Sequence, residues 1–272
     1  MKDILSQIIE HKKVEIQSQK QTVSPEQLRQ QLQASSLNVG GAQRSMKQAL
    51  AQSPTGIIAE FKRRSPSKGW INRQAQADVI PPGYEAAGAS ALSILTDETF
   101  FGGTLDDIRT ARPLTGLPIL RKDFIIDEYQ LLQARLAGAD AVLLIAACLT
   151  REACATLAEQ AHALGLEVLL ELHSESELTY IDATAADMVG INNRNLGSFV
   201  TDVVNSFRMV DRLRQQTSAL LVSESGISSM ETILRLRAAG YRGFLLGEAF
   251  MKHASPAEAL KQFLQSATQP HV

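Results

Sequence analysis

The chain has 272 residues, 44% hydrophobic and 21% charged, enough apolar mass for a large core in one domain or two. Its formal net charge of −2 lacks the basic excess usual in a nucleic-acid-binding domain. Cys148 and Cys154 have no CxxC spacing, the charged start MKDILSQIIEHKKVEIQSQK is unlike a secretory leader, and no apolar run nears the roughly 20 residues of a membrane helix, so a reduced, cytoplasmic setting without export or membrane partner is expected.

Residues 1–45 read as a helical extension. Ile4, Leu5, Ile8, Ile9, Val14 and Ile16 recur at helical spacing among Lys and Gln, which predicts one amphipathic helix or two. Ser24 and Pro25 form a cap and first-turn pair ahead of helical residues 26–32. This segment can dock on a core but cannot make one.

From residue 56 short runs rich in Ile, Val and Leu alternate with segments of helical period. The runs are GIIAEF (56–61), ALSILTD (91–97), PILRKDF (118–124), AVLLIAA (141–147), EVLLELH (167–173), MVGINN (188–193), ALLVSES (219–225) and FLLGEAF (244–250). Between them DEYQLLQARLAGA (127–139), REACATLAEQAHALG (151–165) and SSMETILRLRAAG (228–240) have helical period, with the glycine expected just past a helix. Eight strand–helix units predict an α/β fold, a (β/α)8 TIM barrel, with residues 1–272 as one domain. An open Rossmann sheet would carry GxGxxG after a strand, and a P-loop would read GxxxxGK[ST]; neither occurs.

In such a barrel, functional residues gather at the C-terminal strand ends, and alternation sorts side chains onto two faces. Ile58, Glu60 and Lys62 share a face of the first run, as do Leu120 and Lys122 on the third. On the fifth run Glu167, Leu169, Glu171 and His173 align, on the sixth Gly190, Asn192 and Arg194, and on the seventh Ser223 and Ser225. Charges embedded at strand ends are costly unless paired or used. Lys122, Glu60 and Glu171 therefore form a candidate acid and base set, the plain alternative being an ion-pair lattice that only shapes the barrel. Apolar walls and cationic neighbours are expected to lower the Lys122 pKa so that it releases a proton near neutrality.

SESGIS (223–228) and LLGEAF (245–250) each place a glycine where a strand turns towards a helix, in the two loops that commonly hold phosphate. Phosphate binding is expected there; simple turn glycines are the alternative. The five histidines form no metal-ligand cluster, so His173 reads as a hydrogen-bonded strand-end residue. Trp70 is either packing or a cover from the first loop, and Arg63 and Arg64 are solvated or ion-paired loop residues.

The stretches IIAEFKRRSPSKG, SILTDETFFGGTLDDI, PILRKDFI, LLIAACL, EVLLELHS, GINNRNL, LVSESGI and FLLGEAFM, in this order and over nearly the whole chain, closely resemble the indole-3-glycerol phosphate synthase family. The resemblance implies a lyase without cofactor or metal. It would convert 1-(2-carboxyphenylamino)-1-deoxyribulose 5-phosphate into indole-3-glycerol phosphate, carbon dioxide and water by ring closure, decarboxylation and dehydration. It also implies Lys122 as general acid, Glu171 as general base in the dehydration, and Glu60 and Asn192 as supports of the reacting centre. Lys62 and Ser65 would face an anionic part of the substrate. Arg194, Ser225, Gly226, Gly247 and Glu248 match substrate and phosphate positions, and Phe101 and Phe124 the pocket for the aromatic ring. Glu248 is expected to present its backbone N–H, with its carboxylate turned away from phosphate.

Where the family has a helix-compatible run, DVIPPGYEAAGAS carries Pro81, Pro82 and Gly83, which are expected to shorten or break the start of the first barrel helix. The expected partner is a phosphorylated small molecule, with no nucleic acid, and the expected state a monomer or weak homodimer with no fused second catalytic domain. Two alternatives stay open. A sugar-phosphate isomerase on the same barrel would share the phosphate loops without requiring the Glu60, Lys62, Lys122, Glu171 set. A nucleic-acid-binding protein using KRRSPSK is opposed by the overall acidity and the eightfold pattern.

Overall fold

Strands that are apolar on both faces need helices outside and a filled interior, and a closed parallel barrel supplies both. The computed structural model describes residues 4–36, 44–195 and 200–266; residues 1–3 and 37–43 of the predicted extension and Leu196 of the sixth motif lie outside the described residues. The strands are β1 (Ile57–Phe61), β2 (Ala91–Leu95), β3 (Ile119–Lys122), β4 (Ala141–Ile145), β5 (Glu167–Leu172), β6 (Met188–Asn192), β7 (Leu220–Glu224) and β8 (Gly243–Leu246). Each pairs in parallel with its sequence neighbours, and β8 returns to β1, with Ile57 beside Phe244 and Ala59 beside Leu246. The predicted eightfold closure is therefore present.

Two apolar layers fix the parity of every strand. Ile57, Ala59, Phe61, Val168 and Leu170 face the surrounding helices, whereas Ile58, Leu120, Leu143, Leu169, Met188 and Val222 fill the barrel interior. Helix α3 (Met46–Gln52) closes the floor, with Met46 and Leu50 against that interior plug. Glu167 belongs to this floor, because its carboxylate accepts hydrogen bonds from Ser45 Oγ and, at 3.0 Å, from Lys47 N. Charged residues of the inward parity near the other end of the strands have only the opposite mouth to occupy.

The extension forms α1 (Ile4–Thr22) and α2 (Pro25–Ser36). Ser24 caps α2 reciprocally, its Oγ accepting from Gln27 N at 3.2 Å while its own N–H donates to Gln27 Oε1 at 2.7 Å. The buried stripe of α1 is Ile8, Lys12 and Ile16, and Val14, grouped with the apolar residues by periodicity, is exposed. Lys20 and Arg29 reach Asp127 and Glu128 at 2.7 and 2.8 Å, which ties the extension to the segment after β3.

Pro81 and Pro82 do not break their helix. Helix α4 (Ile80–Ala86) starts one residue before them, so both sit in the first turn, where a missing N–H costs nothing. The helix is nonetheless short, at seven residues. The loop after β1 is held by Arg63, which donates to both oxygens of Asp107 at 2.7 Å and to the carbonyls of Ala75 and Gly102.

Candidate active site

At the C-terminal ends of the strands lies a cavity of about 710 Å³. Every site residue named from the sequence lines it: Glu60, Lys62, Ser65, Phe101, Lys122, Phe124, Glu171, Asn192, Arg194, Ser225, Gly226, Gly247 and Glu248. Ile4, Leu5 and Ile8 of α1 close it from above. Trp70 is not part of the lining; it lies half exposed between Arg64 and Arg73 and packs over Gly102.

Lys122 is the centre of the ionic arrangement. Its Nζ donates to Glu171 Oε2 at 2.6 Å and lies 3.3 Å from Glu224 Oε2. Asn192 Nδ2 donates to the other Glu171 oxygen at 3.2 Å, and His173 Nε2 approaches that oxygen to 3.2 Å. Glu60 pairs with Lys62 on the same wall.

Sequence parity missed Glu224. It aligned Ser223 and Ser225, but the inward residues of β7 are Val222 and Glu224. Ser223 is buried on the helix side, where its Oγ lies 2.8 Å from Ser206 Oγ and accepts from Asn193 Nδ2 at 3.1 Å. The available signal was the cost of a carboxylate within an apolar strand, which applies to Glu224 as it does to Glu60. Two glycines make room for these acids: a Cβ on Gly190 would sit 2.3 Å from Glu224 Oε1, and one on Gly247 would sit 2.2 Å from Glu60 Oε1.

These surroundings set the protonation states. Burial alone would lower the Lys122 pKa, but Glu171, Glu224 and Glu60 outweigh it and raise it far above the ordinary lysine value. The expected lowering is therefore wrong, because the neighbours that decide it are carboxylates and not cations. Glu171 moves the other way: burial would raise its pKa, but Lys122 and His173 hold it well below the usual carboxylate range. Glu224 is pushed up to about 8 by burial and the Glu171 charge, against the pull of Lys122. The centre thus holds an ammonium and two acids driven apart by environment, Glu171 towards its ionised form and Glu224 towards its protonated one.

The two ends of the cavity differ in chemistry. At one, the Phe101 and Phe124 rings lie 6.0 Å apart at 38°, with Leu143 and Ile145 nearby in the lining. At the other, Ser225 and Gly226 are both in the left-handed region, with φ of 67° and 75°, and Asn193 Nδ2 donates to Ser225 O at 3.1 Å. The helix after Gly226 begins only at Met230, whereas Gly247 directly caps the short helix Glu248–Met251. Arg194 donates to Ser67 Oγ at 3.2 Å and to Glu248 Oε2 at 3.4 Å, and Lys68 Nζ is 3.6 Å from Glu248 Oε1. The Glu248 carboxylate is thus drawn onto Arg194 and Lys68. Ser65 is buried, its Oγ accepting from Lys68 N at 3.2 Å. Among the described residues no group of three or more His, Cys, Asp or Glu is arranged to hold a metal ion.

A family model described as indole-3-glycerol phosphate synthase matches residues 5–263. A protein of that name from Bacteroides thetaiotaomicron is 64% identical over 266 residues, covering 98% of this chain and 99% of its own length. Another, from Burkholderia ambifaria, is 40% identical over 260 residues, covering 96% of this chain and 98% of its own. Among solved structures, a mutant tryptophan synthase alpha-subunit from Pyrococcus furiosus superposes with a TM-score of 0.59 at 15% identity, over 79% of this chain and 98% of its own, a likeness of fold alone. The sequence match over nearly the full length, joined to the barrel and its mouth, makes this chain a member of the indole-3-glycerol phosphate synthase family.

Proposed function

We propose that this chain catalyses the reaction its relatives are named for, closing the ring of 1-(2-carboxyphenylamino)-1-deoxyribulose 5-phosphate to give indole-3-glycerol phosphate, carbon dioxide and water. The observation that carries the reading is Lys122, set between the buried Glu171 and Glu224 carboxyls in a cavity with an aromatic wall at one end and a cationic rim at the other. The substrate's aromatic ring packs against Phe101 and Phe124. Its phosphate takes the end bounded by Arg194, Ser225, Gly226 and Gly247, displacing the Glu248 carboxylate from Arg194.

Held at both ends, the chain of the sugar brings its carbonyl carbon against the ring carbon that bears the carboxylate, so that binding energy replaces chance encounter. Lys122 delivers a proton to the carbonyl oxygen as the carbon–carbon bond forms. Loss of carbon dioxide then restores the aromatic ring. In the dehydration the electrons of the aromatic amine expel the hydroxyl, which takes a proton from solvent and leaves as water, while Glu171, the ionised acid, takes a proton from the neighbouring CH2 carbon as the new ring double bond forms and returns it to Lys122. Asn192 keeps Glu171 oriented, Glu60 orders Lys62, and Lys62 with Ser65 faces the anionic substrate.

In this reading the working unit is the single domain of residues 1–272 acting in the cytoplasm on a phosphorylated small molecule. A monomer suffices, since one chain supplies every residue named. Among the described residues no helix is long and apolar enough to cross a membrane. The test is to incubate purified protein with the carboxyphenylamino sugar phosphate and follow indole fluorescence. A rise proportional to enzyme is expected, and its absence at high enzyme concentration would overturn the proposal.

A further inference from the structure

Lys12 lies on α1, outside the cavity lining, and is 0% exposed. Its Nζ is 2.9 Å from Asp97 Oδ2, 3.2 Å from Asp123 Oδ1 and 2.9 Å from Glu15 Oε2. Asp97 follows β2 and Asp123 follows β3, so one ammonium from the extension joins two neighbouring strand ends. An ion buried this deeply needs partners, and these three carboxylates keep it charged by raising its pKa against the effect of burial.

Both barrel carboxylates have a second duty. Asp97 Oδ1 accepts from Phe100 N at 2.7 Å, capping the single-turn helix Glu98–Phe101 that presents Phe101 to the cavity. Asp123 Oδ1 accepts from Phe124 N at 2.8 Å, while its Oδ2 accepts from Thr96 Oγ1 at 2.6 Å and Arg121 Nη2 at 2.9 Å. Each of the two barrel acids that Lys12 binds thus holds backbone next to one of the two rings forming the aromatic wall, Asp97 through the helix that carries Phe101 and Asp123 at Phe124 itself. Both acids are almost fully buried. Without Lys12 they would face each other across a site that keeps Arg121 on the Asp123 side but no cation between them.

We infer that Lys12 is a positioning residue for the aromatic end of the site, setting the spacing of Phe101 and Phe124 through Asp97 and Asp123. The inference rests on the reaction proposed above, in which that wall receives the substrate's ring. Lys12 touches no substrate. Its loss should weaken ring binding more than it slows chemistry, because Lys122 and Glu171 keep their own contacts.

The experiment compares KM and kcat of the wild-type chain with Lys12→Met, the double variant Lys12→Met with Asp97→Asn, and Lys20→Met. Lys20→Met removes another ion pair between α1 and the barrel, that with Asp127, whose other oxygen accepts from Tyr129 N and not from the backbone of Phe100 or Phe124. For Lys12→Met we expect KM to rise about tenfold with kcat within about threefold, the pattern of lost binding rather than lost chemistry. Adding Asp97→Asn removes one unpaired charge while an amide oxygen can still cap Phe100 N, so KM should return to within about threefold of wild type. Lys20→Met should leave KM unchanged.

The inference fails if Lys12→Met keeps its KM within twofold, if the double variant is no better than the single one, or if Lys20→Met raises KM equally. Should Lys12→Met not fold, Asp97→Ala removes the Phe100 cap while leaving Lys12 paired with Asp123, and the same rise in KM is required of it. A wild-type chain that does not turn the substrate over would instead sink the proposed function.

Discussion

Replacing Lys122 with Met should show, in one variant, both how the site works and what holds it together. The ammonium lies 2.6 Å from Glu171 and 3.3 Å from Glu224, and Glu60, Glu171 and Glu224 are 4%, 2% and 1% exposed. Removing one partner from a buried ionic group costs about 3–5 kcal/mol, and at about 2–4 °C per kcal/mol for a chain of this size the melting point should fall by about 10 °C at pH 8. The pH dependence follows from the direction of each shift. In the wild type, Lys122 has a raised pKa, so its contribution is complete below the ordinary lysine value of 10.5 and is lost only above it. Glu171 has a depressed pKa, so its contribution is present above 4.5 and is lost as pH falls through the folded value. Without Lys122, Glu171 keeps its burial and loses its main counter-charge, so its folded pKa rises instead. Its contribution is then present below 4.5 and lost as pH climbs, which makes the deficit of the variant larger at pH 8 than at pH 5. Turnover should fall by about 10²–10⁴, the usual worth of a general acid. Thermal melts at both pH values and the indole fluorescence assay measure these effects. A deficit that does not change with pH, or turnover within tenfold of wild type, would refute the reasoning.

Glu171→Gln keeps the shape but removes the base, so kcat should drop by about 10²–10⁴ with KM little changed, as measured by steady-state kinetics. Glu224→Gln should be read by melting point against pH. The raised pKa of Glu224 gives stability that is complete below 4.5 and lost as pH rises through about 8, so the glutamine variant should gain on the wild type as pH rises from 4.5 to about 8 and keep that gain above it. Glu248→Ala frees Arg194 and Lys68 from an internal anion, and KM for the phosphorylated substrate should fall about two- to fivefold, a modest change because these groups are partly exposed and screened. An unchanged or higher KM would show that the carboxylate does not compete with the ligand.

Much of this molecule was legible because the barrel repeats one rule. Ile58, Leu120 and Leu169 carry the inward parity of their strands, and continuing each alternation reaches Glu60, Lys122 and Glu171 without any knowledge of neighbours. The rule failed on β7, where ALLVSES offers a serine on either side of Glu224 and polar character alone does not pick out the inward residue. Lys12 was invisible for a related reason. Periodicity assigns lysine to the wet face of a helix, and its three acids come from three separate places in the chain: its own helix and the ends of two strands. The sign of the Lys122 shift failed because it depends on how many carboxylates reach one nitrogen, which is a property of closure and not of any run. Pro81 and Pro82 leave their helix short without breaking it, since a start at Ile80 keeps both in the first turn, which an earlier start would not.

In the proposed reaction, the direction of these shifts also constrains when the proton moves. An ammonium surrounded by Glu171, Glu224 and Glu60 is a poor acid towards a neutral carbonyl, whose oxygen is far less basic than the amine it would leave behind. Transfer ahead of ring attack would therefore run steeply uphill. Once the ring carbon has begun to bond, the carbonyl oxygen becomes alkoxide-like and more basic than the amine, and the same transfer runs downhill. The carboxylates that make Lys122 a weak acid at rest thus delay its proton until charge has developed, so its help goes to the transition state and not to the bound substrate. What Lys122 supplies before that moment is an oriented positive charge at the carbonyl oxygen, and the Glu171 contact at 2.6 Å fixes where that charge stands. Donation to the substrate removes the charge that held Glu171 ionised. The Glu171 pKa then rises, making it a stronger base as the dehydration begins, so the first proton transfer prepares the second.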